Sequence, residues 1–345
     1  MGFQKVYMDS KDRIVAFIKL GEFIKNLDQE EFEDIQWRAQ NANNWFTVAS
    51  VADALKGIAL MLDSSKMNYW LSQYELAPYF SSLRIGVLMA GNIPAVGFHD
   101  LMCVLLSGHI ASVKLSSTDS IIMKWLIFNL IKIEPRFESR IEIEEMLKGK
   151  DAYIATGSDN SSRYFNYYFG KYPHVIRQNR TSVAVLSGDE NTEDYLKLGK
   201  DVFQYFGLGC RNVSKIFLRN VEQLQDFLGA IEVYSDVSHH HKYHNNYDYN
   251  KSIYLVNGVS HLDNGFLLVT ESEALVSPIS VLFYEIYDGE EQLKSKLLEI
   301  EHKIQCVVSK DGTYEHSIPF GTAQCPEPWD YADGVDTLRF LCDLA

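Results

Sequence analysis

The fold of this chain is decided by one stretch, LRIGVLMAGNIPAVGFHDLMCVLLSGHIASVKLSS, which runs from Leu83 to Ser117. It opens with a nearly continuous apolar run that ends in a glycine turn. A helix-like segment follows, and then a second apolar run that ends in KLSS. Short apolar runs separated by a helical segment are typical of buried parallel strands joined by a crossover helix. The stretch therefore predicts a strand–helix–strand unit of an α/β fold.

Strand-like and helix-like segments alternate through the rest of the chain. The first half predicts helices over 120–133 and 160–170 and strands within 140–147 and 151–158. The second half predicts helices over 192–206 and 289–304 and strands over 182–188, 252–257, 265–270, 279–287 and 304–309. Such alternation is typical of parallel sheets, whose ligands lie beyond the carboxyl ends of the strands.

Three regions are expected along the chain. Helical periodicity extends from Lys11 to about Leu76, where Thr47 is a candidate helix cap. We expect a helical N-terminal region over 1–79, a dinucleotide-binding domain over 80–187, and a catalytic α/β domain that carries a cysteine over 188–345. The last segment of the chain is expected to pack back on the first domain or on a partner subunit.

Composition indicates an ordinary soluble globular protein. Apolar residues make up 46% of the 345 residues, and the formal net charge of −14 argues against a nonspecific nucleic-acid surface. The cysteines are odd in number, five, and form no CxxC pair, which favours reduced thiols. No signal-peptide core or membrane-length apolar run is present, so a cytoplasmic location is expected.

Three strand-end turns carry small and polar residues: MAGNIP over 89–94, KLSS over 114–117 and ATGS over 155–158. Small residues let a ligand approach the backbone, although any one such turn could simply end a strand. Their occurrence on successive predicted strands favours a shared ligand site. No complete GxGxxG motif is present, so the usual dinucleotide fingerprint is absent.

Cys210 lies in YFGLGCRNVSKIFL, after a glycine pair and before a strand-like run. A lone cysteine is more often a buried apolar side chain than a nucleophile. Gly207 and Gly209 favour the second interpretation, because they leave the thiol accessible and can aim backbone N–H groups at a developing oxyanion.

These features, in this order, resemble the aldehyde dehydrogenase superfamily. Within it the chain is most similar to the LuxC-like acyl-CoA reductase family, and the likeness covers nearly the whole sequence. It rests on four long segments: VLMAGNIPAVGFHDLMCVLLSGH, YFGLGCRNVSKIF, HHKYHNNYDYNKSIYL and PFGTAQCPEPWDYADGVDT. The resemblance implies an aldehyde-dehydrogenase-like fold with a nucleotide-binding parallel-sheet domain and a catalytic α/β domain.

The resemblance also implies roles for particular residues. Cys210 matches the catalytic nucleophile, and Asn92 matches the asparagine whose amide forms the oxyanion hole together with the cysteine N–H. Lys114 matches the lysine that reaches the adenosine ribose of the cofactor. The implied cofactor-binding residues lie at strand ends and in the PFG segment, with Glu273 the weakest match: Lys114, Ser116, Ser117, Thr156, Gly157, Ser158, Phe320 and Glu273.

Two departures from the superfamily pattern sharpen the expected chemistry. The segment VIRQNRTS, over 175–182, carries no carboxylate where oxidising members have the glutamate that activates water. Without that base, hydrolysis of a thioester intermediate should be slow. Ser117 replaces a glutamate that would repel a 2′-phosphate, which favours NADPH over NADH.

The sequence thus predicts an NADPH-dependent reductase that converts acyl-CoA to a fatty aldehyde through a thioacyl-cysteine. The alternatives are a reductase of acyl phosphates or carrier-bound acyl groups, and a noncatalytic acyl- or nucleotide-binding protein. The expected partners are an acyl-CoA substrate, an acyl-activating or acyl-transferring protein, and further copies of this chain in a homo-oligomer.

A histidine cluster and two arginines each allow a functional and a structural interpretation. The cluster His239–His244 offers metal-like spacing, but the resemblance requires no metal, and a place in the acyl or coenzyme A pocket is favoured. Arg177 and Arg180 could contact phosphate, although solvated surface arginines are the commoner outcome.

Overall fold

A computed structural model describes residues 8–157 and 159–344. The chain forms two compact units: the first contains the chain up to Gln178 together with Pro326 onward, and the second is Asn179–Cys325. The expected boundary at residue 187 falls later than this division. The reason is that the strand over 181–185 hydrogen-bonds into the sheet of the second unit.

The first unit begins with a helical region, as the periodicity predicts. Its helices are α1 (Ser10–Lys25), α2 (Gln29–Ala42), α3 (Val48–Met61) and α4 (Ser64–Leu71). Each helix is preceded by a residue whose side chain accepts a hydrogen bond from a backbone N–H of the first turn. The predicted cap Thr47 is confirmed in this role for α3. Their buried faces share one apolar core with the sheet that follows, including Phe17, Trp70 and Leu101.

The first sheet is entirely parallel and has the strand order β3-β2-β1-β4-β5. Helices α5 (Phe98–Ser107), α6 (Ser120–Ile133) and α7 (Asp159–Phe169) lie between its strands in sequence. The strands are β1 (Arg84–Leu88), β2 (Ile110–Lys114), β3 (Ile141–Ile143), β4 (Ala152–Thr156) and β5 (His174–Arg177). The strand–helix–strand unit predicted from Leu83 to Ser117 is therefore confirmed.

The second sheet has the order β12-β11-β6-β7-β10-β9-β8, and only β8 and β9 pair antiparallel. Its helices are α8 (Thr192–Phe203), α9 (Glu222–Ala230), α10 (His241–Asn257) and α11 (Glu290–Ile300). Its strands are β6 (Thr181–Val185), β7 (Val213–Leu218), β8 (Leu262–Asp263), β9 (Leu268–Glu271), β10 (Val281–Ile286), β11 (Ile304–Ser309) and β12 (Ser317–Pro319).

One predicted strand is wrong: the run SIYLVN over 252–257 forms the end of helix α10. This helix buries Tyr243, Tyr247 and Asn250 at helical spacing, and Leu255 and Val256 in its last turn are exposed. A short apolar run cannot be assigned by periodicity alone, and here the preceding polar turns decide that the backbone is helical.

The last segment of the chain belongs to the first unit. Helix α12 (Thr337–Cys342) packs beside α5, and the buried His109 ring donates from Nε2 to the carbonyl of Leu341 at 2.8 Å. Within the part of the chain that the structure describes, no helix has the length and apolar character needed to cross a membrane.

Candidate active site

Three of the predicted turns meet at one edge of the first sheet. Strand β1 lies between β2 and β4, and Leu88 is in register with both Lys114 and Ala155. All three strands therefore end at the same level. Strand order reverses between β1 and β4, and the crevice at such a reversal is where doubly wound sheets bind ligands.

The turns after β1 and β2 are hydrogen-bonded to each other. The Thr118 hydroxyl donates to the carbonyl of Gly91 at 2.6 Å and lies 2.8 Å from the Ser116 hydroxyl. A Cβ atom at Gly91 would lie 2.4 Å from the Ser116 oxygen, so only glycine fits there. Asn92 and Ser117 are exposed beside this contact. The two turns thus form a single polar rim, in which Gly91 leaves the backbone uncovered by any side chain.

The third turn is held by a buried arginine. The Thr156 hydroxyl accepts a hydrogen bond from Arg177 Nη1 at 3.2 Å. A Cβ atom at Gly157 would lie 2.7 Å from the Phe165 ring of α7, so this position also requires glycine. Ser158, the third predicted residue of this turn, lies outside the described residues.

Arg177 is not a surface arginine, contrary to the commoner expectation. It is 3% exposed, pairs with Asp100 at 2.7 Å, and donates from Nη2 to the Thr337 hydroxyl at 2.6 Å. Arg180 is also engaged, since it donates to the carbonyl of Ile304 at 2.9 Å. Neither guanidinium is a simple solvated charge, and Arg177 fixes Thr156.

The rim of the first sheet fits a nicotinamide dinucleotide. Gly91 and Gly157 leave space where a side chain would block a close backbone approach, and the half-buried Lys114 offers a cation at the end of β2. Ser116 and Ser117 bring hydroxyls and no anion to the same rim. Lys114, these serines and the turn that begins at Thr156 are the residues that would hold such a cofactor.

Asp119 is a buried carboxyl group below this rim that the sequence did not single out. It is 2% exposed, and neither oxygen has a well-formed hydrogen bond among the described residues. Burial raises the pKa of Asp119 to about 8, and the amide of Ala95 offsets the effect only in part. At neutral pH the group is therefore largely protonated.

This raised pKa makes a testable prediction about stability. The folded state keeps the proton on Asp119 that the unfolded chain releases near pH 4. The contribution of the protonated carboxyl group to the free energy of unfolding is therefore complete below about pH 4. It is lost as pH rises from there through about 8. Asp119→Asn cannot ionise, and at pH 9 it should be more stable than the wild type by at least about 1.4 kcal/mol.

Thermal unfolding between pH 5.5 and 9 measures this effect. The melting temperature of Asp119→Asn should fall less with rising pH than that of the wild type. Asp53→Asn, which changes an exposed carboxylate on α3, is the matched control and should follow the wild-type curve. Parallel curves for the Asp119 variant and the wild type would refute the assigned pKa.

In the second unit, Cys210 occupies the corner of a tight turn between α8 and β7. The Asn212 N–H donates to the carbonyl of Gly209 at 3.0 Å, and the Gly209 N–H donates back to Asn212 Oδ1 at 2.8 Å. The turn is therefore closed twice, with Cys210 partly exposed at its second position. The Gly209 N–H is used by Asn212, so it is not the oxyanion donor that the glycine pair suggested.

The backbone before this turn is strained. Tyr205 and Phe206 have φ of 54° and 59°, and Gly207 has φ of 77°. Left-handed geometry costs roughly 1–2 kcal/mol at each residue with a side chain. Strain of this kind persists only where surrounding contacts fix it, and it clusters at functional sites.

Ser182 on β6 fixes the other side of the cysteine. Its hydroxyl donates to the carbonyl of Cys210 at 3.0 Å and lies 3.0 Å from Cys306 Sγ on β11. Burial raises the pKa of the Cys306 thiol, which favours the neutral thiol over the thiolate. Strands β6 and β11 thus help to position the turn.

The PFG segment is anchored by a buried carboxyl group. Phe320 is only 4% exposed, and the amides of Gly321 and Ala323 donate to the two oxygens of Asp201 at 2.6 and 3.1 Å. Burial raises the pKa of Asp201 to about 7 in spite of these two donors. The Phe320 ring is therefore packed within the second unit.

The remaining predicted residues are more peripheral. Glu273 is exposed, and its carbonyl accepts from Lys215 Nζ at 3.1 Å. Lys215 is 2% exposed and pairs with Glu285, and burial lowers its pKa to about 8. This buried lysine holds the backbone at Glu273, which leaves the glutamate side chain at the surface.

The histidine cluster splits into different roles. The His240 ring lies 4.4 Å from the Phe206 ring and accepts from the Tyr243 N–H at 3.4 Å, which caps α10. His239 and His244 are exposed and lie 3.4 Å from Asp236 and Asp248. In the described ranges 8–157 and 159–344, no group of three or more His, Cys, Asp or Glu is placed to hold a metal ion.

Comparison with solved structures identifies the architecture. The structure matches a Mycobacterium tuberculosis aldehyde dehydrogenase complexed with NAD+ with a TM-score of 0.62 and 12% identity over 88% of this chain and 73% of that one. It also matches aldehyde dehydrogenase 21 from Physcomitrella patens, complexed with succinate, with a TM-score of 0.62 and 12% identity over 100% of this chain and 94% of that one. The fold is that of the aldehyde dehydrogenases.

A third similar structure is aldehyde dehydrogenase C from Pseudomonas syringae, a mutant complexed with NAD+ and octanal. Its TM-score is 0.63 at 9% identity, with 88% of this chain and 73% of that one covered. No protein-family model matches the sequence, and no curated protein sequence matches it. The expected aldehyde-dehydrogenase-like fold is thus confirmed.

Within this aldehyde-dehydrogenase-like fold, sequence reasoning missed the supporting residues. Arg177, Asp201 and Asn212 are each buried and each hold a turn that bears a predicted site residue. None of the three left a local signal, since polar residues are common in turns and at strand ends.

Proposed function

We propose that this protein is an NADPH-dependent acyl-CoA reductase that forms a fatty aldehyde through a thioacyl intermediate on Cys210. The observation that carries the proposal is the partly exposed Cys210 at the corner of a turn that Asn212 closes twice and that follows the strained residues Tyr205 and Phe206. A packing cysteine needs neither strain nor such fixation. The proposal draws its substrate from the resemblance to the LuxC-like family.

The first chemical step is acyl transfer to the protein. The Cys210 thiolate attacks the thioester carbonyl, a bond forms between Sγ and the acyl carbon, and the coenzyme A thiolate leaves with the electron pair of the broken bond. The Asn92 amide and the Cys210 N–H are proposed to donate to the transient oxyanion. NADPH, when bound, would supply a hydride to the acyl carbon. The bond between that carbon and Sγ then breaks, which releases the aldehyde and returns Cys210 as a thiolate.

The segment over 175–182 supports reduction rather than hydrolysis. It forms the end of β5 and the start of β6, and its two charged side chains, Arg177 and Arg180, are both engaged in hydrogen bonds. It carries no carboxylate that could remove a proton from water. A thioacyl-Cys210 would therefore persist until it is reduced.

A substrate panel tests the proposal. NADPH oxidation and aldehyde release should appear with acyl-CoA of at least one chain length, and NADH should support slower turnover at equal concentration. Acyl phosphates and acyl carrier conjugates form separate arms, since the same cysteine could accept them. If only acyl phosphates or carrier conjugates give aldehyde, the donor is not coenzyme A. If the protein binds acyl-CoA and NADPH but no donor gives turnover, the noncatalytic alternative is favoured.

Cofactor preference gives a second prediction. Ser117→Glu places an anion on the exposed rim after β2, where it would repel a 2′-phosphate. The KM for NADPH should rise by about tenfold or more, with the KM for NADH unchanged or lower. Ser117→Gln has the same shape without the charge and should leave the KM for NADPH within about threefold. Equal effects of both variants on NADPH would place the 2′-phosphate elsewhere.

A further inference from the structure

The end of helix α8 is the common support of two segments of the second unit. One is the turn Gly209–Asn212 that carries Cys210, and the other is the loop over 319–325 that begins with PFG. Both are joined to the last turn of α8 by buried side chains rather than by regular secondary structure. These side chains are Asn212 and Asp201, which are 3% and 0% exposed.

Asn212 uses both ends of its amide. Its Nδ2 donates to the carbonyls of Gln204, Asp201 and Val202 at 2.7, 3.0 and 3.3 Å, which are among the carbonyls left without partners at a helix end. Its Oδ1 accepts from the Gly209 N–H at 2.8 Å. One side chain thus joins the helix end to the cysteine turn across the strained residues 205–207.

Asp201 extends the same support to the PFG loop. Its main-chain carbonyl is one of the three that Asn212 holds, and its carboxyl oxygens accept from the Gly321 and Ala323 amides. The Gly321 backbone has φ of 81° and lies against Lys197 of α8. The cysteine turn and the PFG loop are therefore tied to one residue of the helix.

No other common side chain could replace Asn212. Aspartate would place negative charge against three carbonyl oxygens, and leucine would leave the Gly209 N–H and the helix carbonyls buried without partners. The amide of asparagine offers two N–H donors beside an acceptor oxygen, whereas a hydroxyl offers a single donor hydrogen.

We propose that Asn212, supported by Asp201, is a positioning residue for Cys210: it holds the cysteine turn, which follows strained residues, in the one geometry in which the thiol is reactive. The proposal rests on the assignment of Cys210 as the nucleophile. It predicts that loss of the Asn212 amide lowers the reactivity of Cys210 itself, and not merely the stability of the chain.

Alkylation by iodoacetamide tests this without any assumption about the natural substrate. The partly exposed Cys342, on α12 of the first unit, serves as the internal reference, and peptide mass mapping gives the ratio of Cys210 to Cys342 modification rates. In Asn212→Ser and Asn212→Ala the ratio should fall at least fivefold. A merely structural role would leave the ratio unchanged, or would raise it because a loosened turn exposes the thiol.

Steady-state kinetics supply the second measurement. In Asn212→Ser, kcat with acyl-CoA should fall by about a hundredfold, with the KM for NADPH within about threefold of the wild type. Asp201→Asn keeps one acceptor for the loop amides, so we expect a smaller loss of kcat of about tenfold. The matched control is Asn246→Ala, which removes an asparagine that donates to one carbonyl within α10. It should leave the alkylation ratio and kcat unchanged.

The outcomes are distinguishable. If wild-type protein does not turn over acyl-CoA, the proposed function fails, and the alkylation ratio alone decides the positioning role. If Asn212→Ala does not fold, as judged by circular dichroism, Asn212→Ser and Asp201→Asn decide it. An unchanged or raised alkylation ratio in folded Asn212 variants would overturn the proposal.

Discussion

Cys210→Ala is expected to remove acyl-CoA-dependent NADPH oxidation, with a loss of at least about 10³-fold in kcat. Wild-type protein mixed with acyl-CoA in the absence of NADPH should gain the mass of one acyl group, and the variant should gain none. The physical reason is that the acyl carbon bonds to Cys210 Sγ, so the variant, which lacks this sulfur, has no acceptor for the acyl group. Intact-mass spectrometry followed by peptide mapping measures both results.

The same variant should keep its fold and its cofactor affinity. Cys210 is partly exposed, and the hydrogen bonds that close its turn are made by its carbonyl and by Gly209 and Asn212, so removal of the sulfur leaves those hydrogen bonds in place. NADPH binding, measured by fluorescence titration, should change less than about threefold. Cys325→Ala, at an exposed cysteine of the same unit, is the control that should retain the adduct. Turnover in Cys210→Ala would end the assignment of this cysteine as the nucleophile.

Asn92→Ala should reduce kcat by about 10² to 10³-fold, the usual effect of removing one oxyanion donor. Asn92 is exposed at the turn after β1, and the hydrogen bond that joins this turn to its neighbour runs between Thr118 and Gly91. The rim should therefore survive the substitution. The acyl adduct on Cys210 should still form, but more slowly, because the oxyanion would lose one donor.

Rapid-quench measurement of adduct formation separates this effect from a binding defect. The acylation rate at saturating acyl-CoA should fall with kcat, whereas the KM for NADPH should change little. Asn68→Ala, which removes an exposed asparagine on α4 that bonds one helix carbonyl, is the matched control. Wild-type acylation and turnover in Asn92→Ala would assign the oxyanion to other donors.

Local pattern was enough for most of the fold. Continuous apolar runs bounded by glycine turns located strands β1, β2 and β4. Helical spacing located the N-terminal helical region, with Thr47 as the cap of α3. The run SIYLVN was misassigned because six apolar and polar residues at a helix end resemble a strand when the preceding turns are ignored. The boundary at residue 187 was placed too late because sheet membership depends on pairing partners that are distant in sequence.

The residues of the candidate site also divide into those that a local sequence pattern reveals and those that it does not. Gly91, Gly157 and Gly207 are visible in sequence because close approach and unusual dihedral angles demand glycine locally. Arg177, Asp201 and Asn212 are ordinary polar residues in sequence. Their partners are carbonyls, amides and hydroxyls from other elements, and no local pattern records those contacts.

The sequence by itself determined the alternation of strands and helices, the three polar strand ends and the turn that carries Cys210, because periodicity and turn chemistry act over a few residues. The tertiary structure alone decided where the two units divide and that one edge gathers the three strand ends. It also decided that Asn212 and Asp201 hold the cysteine turn and the PFG loop to α8. The reason is that every buried polar group must find a partner, and that requirement is met across the fold rather than along the chain.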